Sequence, residues 1–204
     1  MKGFRHSWPS ITVAAVLIAA WWIIVDVTQS AIFPTPRMVI DGTLELARDG
    51  SLWGHIGSSL MRVGAGFGLA VLLAIPLGLW MGRVHGAFVT MNPIFQILRP
   101  ISPIAWIPIS ILWFGVGNAS AIYLIFIASV FPMIVQTTVG VHTIEKRFLR
   151  AADNFDVSRG KFFLQVVLPA TLPQIITGMR IGLGVAWLVV VAAEMIALRS
   201  GSAT

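Results

Sequence analysis

VGAGFGLAVLLAIPLGLWM, residues 63–81, is nineteen residues without a charge, set between Arg62 and Arg83. A bilayer has a hydrocarbon core about 30 Å thick, which roughly 20 helical residues cross at ~1.5 Å each. The run therefore has the length of a transmembrane helix. The composition around it agrees: of 204 residues, 57% are apolar and 11% charged, and mean hydropathy is +0.88. Soluble domains carry about a quarter charged residues, so an ordinary soluble domain and a disordered tail are both excluded. The apolar runs also lack the polar-apolar alternation of membrane-barrel strands. The fold class expected is all-α, a polytopic transmembrane helical bundle.

Working toward the amino terminus, Ile11 to Val25 is a second uncharged apolar run, preceded by Lys2 and Arg5 and followed by Asp26. Trp21-Trp22-Ile23-Ile24 does not resemble a small-residue cleavage site, so the segment reads as a retained span rather than a signal peptide. Between the two runs, residues 26–58 hold Asp26, Asp41, Glu45 and Asp49 against Arg37 and Arg48. In this acidic stretch Thr35-Pro36 suits an N-cap and first helical residue. Ile40, Leu44 and Ala47 share one face, and Gly50 can end the helix. A short helix lying on the membrane surface is expected there.

Toward the carboxyl terminus, residues 84–144 hold one charge, Arg99, which is too much apolar chain for one crossing. Two spans fit, separated at Gly115-Val116-Gly117-Asn118. A polar interval follows, with Lys146, Arg147, Arg150, Arg159 and Lys161 against Glu145, Asp153 and Asp156, and then a fifth span from about Gln174 to Leu198. The amino terminus, the turn at Arg83 and this interval fall on one side and carry 8 of the 14 Lys and Arg residues. By the positive-inside rule that side is the cytoplasm. Topology thus accounts for much of the +6 net charge, and a nucleic-acid partner is not expected, since phosphate binding needs many more surface cations. Gly64 and Gly68, Gly78 and Gly82, and Gly178 and Gly182 stand four apart, as close helix packing in membranes favours.

Site chemistry is sparse. The absence of Cys excludes disulfides and thiolate metal sites, and His6, His55, His85 and His142 are too scattered for a local metal motif. Neither a catalytic residue nor a metal site is expected. The long interval 142–173 has helical content, with Phe148, Ala152 and Phe155 on one face and Lys146, Arg150 and Asp153 on the other. It can be a basic loop lying on lipid headgroups or a helix that docks into a soluble partner.

Here the sequence resembles the permease subunits of ATP-binding-cassette (ABC) importers. Their cytoplasmic signature is Glu-Ala-Ala, three residues, Gly, nine residues, Ile or a similar residue, one residue, then Leu-Pro. This chain has Arg150-Ala151-Ala152, Asp156 at the glycine position, and Val166-Val167-Leu168-Pro169. The spacing matches, while Arg150 reverses the charge of the acidic residue and Asp156 replaces glycine. Phe33-Pro34-Thr35-Pro36, Ser59-Leu60-Met61-Arg62-Val63, Arg99-Pro100-Ile101-Ser102-Pro103, Gly178-Met179-Arg180-Ile181-Gly182 and Ala192-Ala193-Glu194-Met195 look like the nitrate, sulfonate, taurine and bicarbonate branch.

The resemblance implies a multi-pass permease domain over 1–204 in a bacterial inner membrane, moving a small oxyanion or sulfonate. It implies a second permease copy, an external binding protein, and ABC ATPase subunits contacted through Arg150, Ala151, Ala152, Asp153, Asp156, Val166, Leu168 and Pro169. No cofactor is expected on this chain, with ATP and Mg used by the partner ATPase. It also implies a sixth span beyond the five counted, so the chain reads as truncated at its carboxyl end. A phosphate-cradling Gly-rich loop is absent from the sequence. An intramembrane enzyme and a stand-alone channel are the competing readings.

Ionisable groups within spans are costly and mark functional candidates. Arg99 falls near mid-membrane, followed by Pro100, Pro103 and Pro108, whose broken backbone at that depth must be shielded by protein or line a water-filled cavity. In the last span Arg180, Gly184, Trp187, Val191 and Glu194 follow one helical stripe. Arg99, Arg180 and Trp187 are candidates for an anion pathway and Glu194 for an outer gate or helix contact. The alternative is that the charges are paired or snorkel toward the interface.

Overall fold

The computed structural model describes residues 8–28, 33–144 and 158–201, so the expected coupling residues Arg150, Ala151, Ala152, Asp153 and Asp156 lie outside the described residues. The chain divides into two compact units, Met1–Ser58 and Ser59–Thr204. In the first, α1 (Trp8–Thr28) carries the first expected span; its stretch Thr12–Thr28 is apolar but shorter than the helices long enough to cross a membrane, and Asp26 stands in its last turn. α2 (Pro36–Arg48) forms where capping chemistry places it: the Thr35 hydroxyl accepts the Met38 N–H at 3.3 Å and Pro36 occupies the first turn. Gly50 then turns the chain at φ +80°. Beside it, Asp49 accepts the Ser51 N–H at 2.9 Å and hydroxyl at 2.7 Å. These bonds hold the Asp49 carboxyl below its ordinary value.

The second unit contains most of α3 (Ser51–Arg83), then α4 (His85–Leu98), α5 (Ile107–Phe114), α6 (Asn118–His142), α7 (Arg159–Phe162) and α8 (Leu168–Gly201). α3, α6 and the run Gly160–Met195 are each long and apolar enough to cross a membrane. The expected third span is not one straight helix: α4 and the segment Pro103–Phe114 meet at 90°. The prolines explain the corner. Pro100 supplies no N–H, and Ser102, preceding Pro103, is held extended at φ −58°, ψ 132°.

The bent pair nonetheless crosses. Phe88, near the start of α4, lies against His142 at the end of α6, with ring centroids 4.8 Å apart. Ser110 of α5 accepts a hydrogen bond at 2.8 Å from Ser120, near the start of α6. The pair therefore runs the length of α6, ~33 Å from Ser120 to His142, and forms one broken span. Gly115 (φ +72°) and Gly117 (φ +154°) make the turn into α6, at the expected break.

α6 is the central helix, with α3 and α8 packed on it. A Cβ on Gly66 would lie 2.7 Å from the Ile122 carbonyl, and one on Gly82 would lie 2.5 Å from Val141 Cβ. Gly178 and Gly182 also bring α8 close to α6, where an added Cβ would lie 3.0 Å from Gln136 Cβ and 2.8 Å from Met133 Cε, whereas Gly64 and Gly68 face open space, so the expected pairing there is replaced by Gly66. Hydroxyls reinforce these contacts: Thr138 donates to the Gly78 carbonyl and Ser129 to the Gly182 carbonyl, both at 3.2 Å. Around them Ile125, Met133, Ile134 and Val190 are almost fully buried.

The last helical run starts at Arg159 rather than near Gln174. A π-helical turn, Phe163–Val167, in which the Leu168 N–H bonds the Phe163 carbonyl, absorbs the register change ahead of Pro169. Pro169 and Pro173 are thus carried inside a helical run instead of preceding it.

Candidate functional site

Four polar side chains from three helices meet at one end of the second unit. Arg62 on α3 donates from Nη1 to Glu194 Oε1 on α8 at 2.9 Å and from Nε to Asn118 Oδ1, at the first position of α6, at 2.7 Å. Ser59, one turn before Arg62, also donates to Glu194 Oε1. Arg62 and Glu194 are partly shielded, at 22% and 35% side-chain exposure. A guanidinium offers donors in a fixed planar fork, so one side chain can tie two acceptors whose positions are set by different helices.

A cavity of about 80 Å³ lies against this network, walled by Ile107 and Ile111 of the broken span, Ser120 and Leu124 of α6, and Ala193. Beside it the buried Ser120–Ser110 bond fastens α5 to α6. The arrangement joins α3 at Ser59 and Arg62 and the start of α6 to the far part of α8 through directional bonds that any separation of these helices must break.

The other expected pathway residues lie elsewhere. Arg99 caps α4 at the vertex of the broken span, is exposed, and makes no ion pair with a described residue. Arg180, Gly184, Trp187 and Val191 share an exposed face of α8, while Ile175, Gly178, Gly182, Ala186 and Val189 are buried on the opposite face. The stripe read from spacing is real as a face, but it points away from this chain's own core. Glu194, at its edge, turns back to α3.

Residues 74–203 match the family described as binding-protein-dependent transport system inner membrane component. The taurine transport system permease protein TauC of Escherichia coli is 37% identical to this chain over 98% of the chain and 78% of its own length. A nitrate import permease protein, NrtB of Leptolyngbya laminosa, is 36% identical over 96% of the chain and 72% of its own length. The bicarbonate transport system permease protein CmpB of Synechococcus elongatus is 39% identical over 72% of the chain and 52% of its own length. The chain belongs to the binding-protein-dependent transport system inner membrane component family. It is a permease subunit of an ABC importer, a class that works with an ATPase and a binding protein.

In this permease the described members of the expected coupling set stand at the entry to α8. Val166 is half-buried, Leu168 half-buried and Pro169 exposed, with Val167 buried between them. Just ahead, the Arg83 guanidinium at the end of α3 stands over the rings of Phe162 and Phe163, 5.4 and 5.9 Å from their centroids. Arg62 and Arg83 read from sequence as span boundaries, Asn118 as part of a break and Ser59 as part of a family-like motif, and the structure gives each a polar or ring contact. One signal was available. Glu194 was the only acidic residue in a span, and the topology already put Arg62 at the same end of the bundle.

Proposed function

We propose that this permease forms the membrane pathway for a small oxyanion or sulfonate handed to it by an external binding protein. Two copies of the chain pair in the bilayer, and the end bearing Arg83 and His142, with the amino terminus, faces the cytoplasm. ATP and Mg act on separate ATPase subunits, which dock on the interval 142–173 through Arg150, Ala151, Ala152, Asp153, Asp156, Val166, Leu168 and Pro169. The chain itself does no chemistry and binds no cofactor.

The observation that carries this reading is the exposed Arg180–Gly184–Trp187 face of α8. A guanidinium on a membrane helix, turned away from its own bundle, needs a partner other than lipid, because an unpaired charge in hydrocarbon is costly. A second copy flanking a water-filled path supplies one, and a positive lining suits an anion. Arg99, at an irregular corner of the backbone, adds to the same potential. Relatives named for taurine, nitrate and bicarbonate support this cargo class. The Arg62–Glu194 network closes the outer end.

The test is uptake by the complex reconstituted with its binding protein and ATPase. At least one of taurine, nitrate, bicarbonate and a second sulfonate competes, neutral and cationic solutes do not, and Arg180→Gln at matched expression lowers uptake about tenfold or more, as removal of one desolvated charge contact would. Competition by neutral or cationic solutes alone would overturn the anion reading. Unchanged uptake in Arg180→Gln would take that residue out of the pathway.

A further inference from the structure

An open groove of about 460 Å³ lies along the Arg83 end of α3, walled by Pro76, Leu79, Trp80, Val84 and Phe163, with Arg83 the one charge in its lining. Pro76, Trp80 and Arg83 are exposed and stand at i, i+4 and i+7, so one face of α3 presents an apolar stripe that ends in a cation. Arg83 lies two residues past the uncharged run 63–81, which puts it at the boundary between hydrocarbon and water. From there the stripe reaches ~10 Å inward, most of one leaflet's ~15 Å. Trp80, one turn inside Arg83, is a residue type that membrane interfaces favour.

The Arg83 guanidinium is only partly engaged. Its contact with the Phe162 and Phe163 rings gives its N–H donors no acceptor oxygen, and no described residue pairs or hydrogen-bonds with it. A phospholipid satisfies both parts of the groove: phosphate oxygens accept from the guanidinium fork, and an acyl chain covers the stripe below it. A free phosphate has no use for apolar walls beneath the water boundary. A second copy of this chain brings no acid to the site, because among the described residues of α3 to α8 the one carboxylate is Glu194, already held by Arg62. A headgroup with net negative charge is favoured over a zwitterionic one, whose own cation sits beside the phosphate. Lys161, exposed on the residue before Phe162, adds to that preference.

We propose that this groove seats one anionic phospholipid, with its phosphate on Arg83 and an acyl chain along Pro76 and Trp80. The inference goes beyond the transport reading and holds for either orientation of the chain, since it uses only the membrane-length run of α3 and the cation at its end. Bound there, the lipid touches α3 and Phe163 together and joins the bilayer to the segment entering α8.

The chain has no Cys, so a bimane fluorophore on a single introduced thiol reports from one place. Gly86→Cys, where an added side chain meets open space two residues past Val84, is the reporter. Met61→Cys, exposed beside the Glu194-paired Arg62, is the control. The purified permease is placed in phosphatidylcholine bilayers with equal fractions of either brominated phosphatidylglycerol or brominated phosphatidylcholine, the bromine near the glycerol end of the chains, and quenching is measured. At Gly86→Cys phosphatidylglycerol quenches about fivefold more strongly than phosphatidylcholine, the scale of one cation near an anionic headgroup, and at Met61→Cys the two are equal. Adding Arg83→Gln brings the Gly86→Cys ratio to about one without changing quenching by phosphatidylcholine, which shows that the chain stays inserted, and Arg83→Lys keeps part of the ratio. Equal quenching at Gly86→Cys in the otherwise unaltered chain overturns the lipid site. So does a ratio that survives Arg83→Gln, which assigns the preference to the basic end as a whole. A Gly86→Cys reporter quenched by neither lipid means that protein covers the groove, and rejects the proposal. Loss of the preference on adding water-soluble glycerol phosphate means that a headgroup anion suffices, and rejects the lipid as occupant.

Discussion

α3 carries an arginine at each end of its membrane-length run, Arg62 and Arg83, ~32 Å apart along one helix, and the two are used in opposite ways. Arg62 makes short, directional bonds to Asn118 and Glu194 and so ties α3 to α6 and α8. Arg83 rests its guanidinium over Phe162 and Phe163, a contact that depends weakly on rotation and slides more readily than it breaks. The first is suited to a latch, closed or open. The second suits an attachment that stays engaged while the chain leaving the interval 142–173 shifts. The contrast teaches that the partner chosen, hydrogen-bonding acceptor or ring face, decides whether an end of the bundle is a lock or a bearing.

Removing the lock has the largest expected effect. Arg62→Leu leaves Glu194 in a partly shielded site without its cation, costing about 1.5–3 kcal/mol by loss of charge-assisted hydrogen bonds. Glu194→Gln keeps an acceptor for Ser59 and costs less. Thermal unfolding of the purified permease, with the Arg62→Leu/Glu194→Gln double variant to close the cycle, measures the coupling. Additive effects of the two single changes would show that the bond does not act as a latch.

Prying the ends apart sterically is the next test. Gly66→Ala puts a methyl 2.7 Å from a backbone carbonyl, one turn inside Arg62, and Gly82→Ala crowds Val141 beside Arg83. Each is expected to cost about 1–3 kcal/mol through overpacking, with Gly66→Ala also loosening the latch. Gly64→Ala, in open space, serves as the neutral control. Equal melting temperatures for all three would refute the tight α3–α6 approach.

The smallest effect belongs to the bearing. Arg83→Gln loses a contact of about 0.5–2 kcal/mol, and Arg83→Lys retains part of it. The informative readout is the number of ATP hydrolysed per solute imported, which rises in Arg83→Gln and recovers in Arg83→Lys. A ratio that stays at the wild-type value in both variants would confine Arg83 to stability.

Four of the five expected spans were legible, counting the bent pair as one, because hydrocarbon imposes a length and a charge rule that a single sequence displays; among the described residues the first run, Thr12–Thr28, is a shorter apolar helix. Val63–Met81 lies within a helix that starts earlier, at Ser51, the break falls at Gly115–Asn118 as expected, and the helix after Thr35 stands where its capping chemistry puts it. The corner at Arg99–Pro103 was half legible: the prolines announced broken backbone, but a 90° turn that still completes a crossing depends on what α6 offers along its length. The glycine spacing misled at Gly64 and Gly68, because a four-residue interval does not say which side of the helix has a neighbour. Glu194 reads as a charge in need of a partner, while Arg62 reads equally as a span boundary, since both roles fit an arginine at a membrane edge.

The sequence by itself determined the class, the family and the number of apolar runs, because each rests on composition, length and local motif. Only the tertiary structure decided that Arg62 closes on Glu194 and Asn118, that Arg180 and Trp187 face away from their own bundle, and that Phe163 joins Trp80 and Arg83 in one groove. These depend on the rotation of one helix about its axis relative to another. The close approach of α6 to the bare backbone at Gly66, Gly82 and Gly182 sets that angle, and no single segment encodes it.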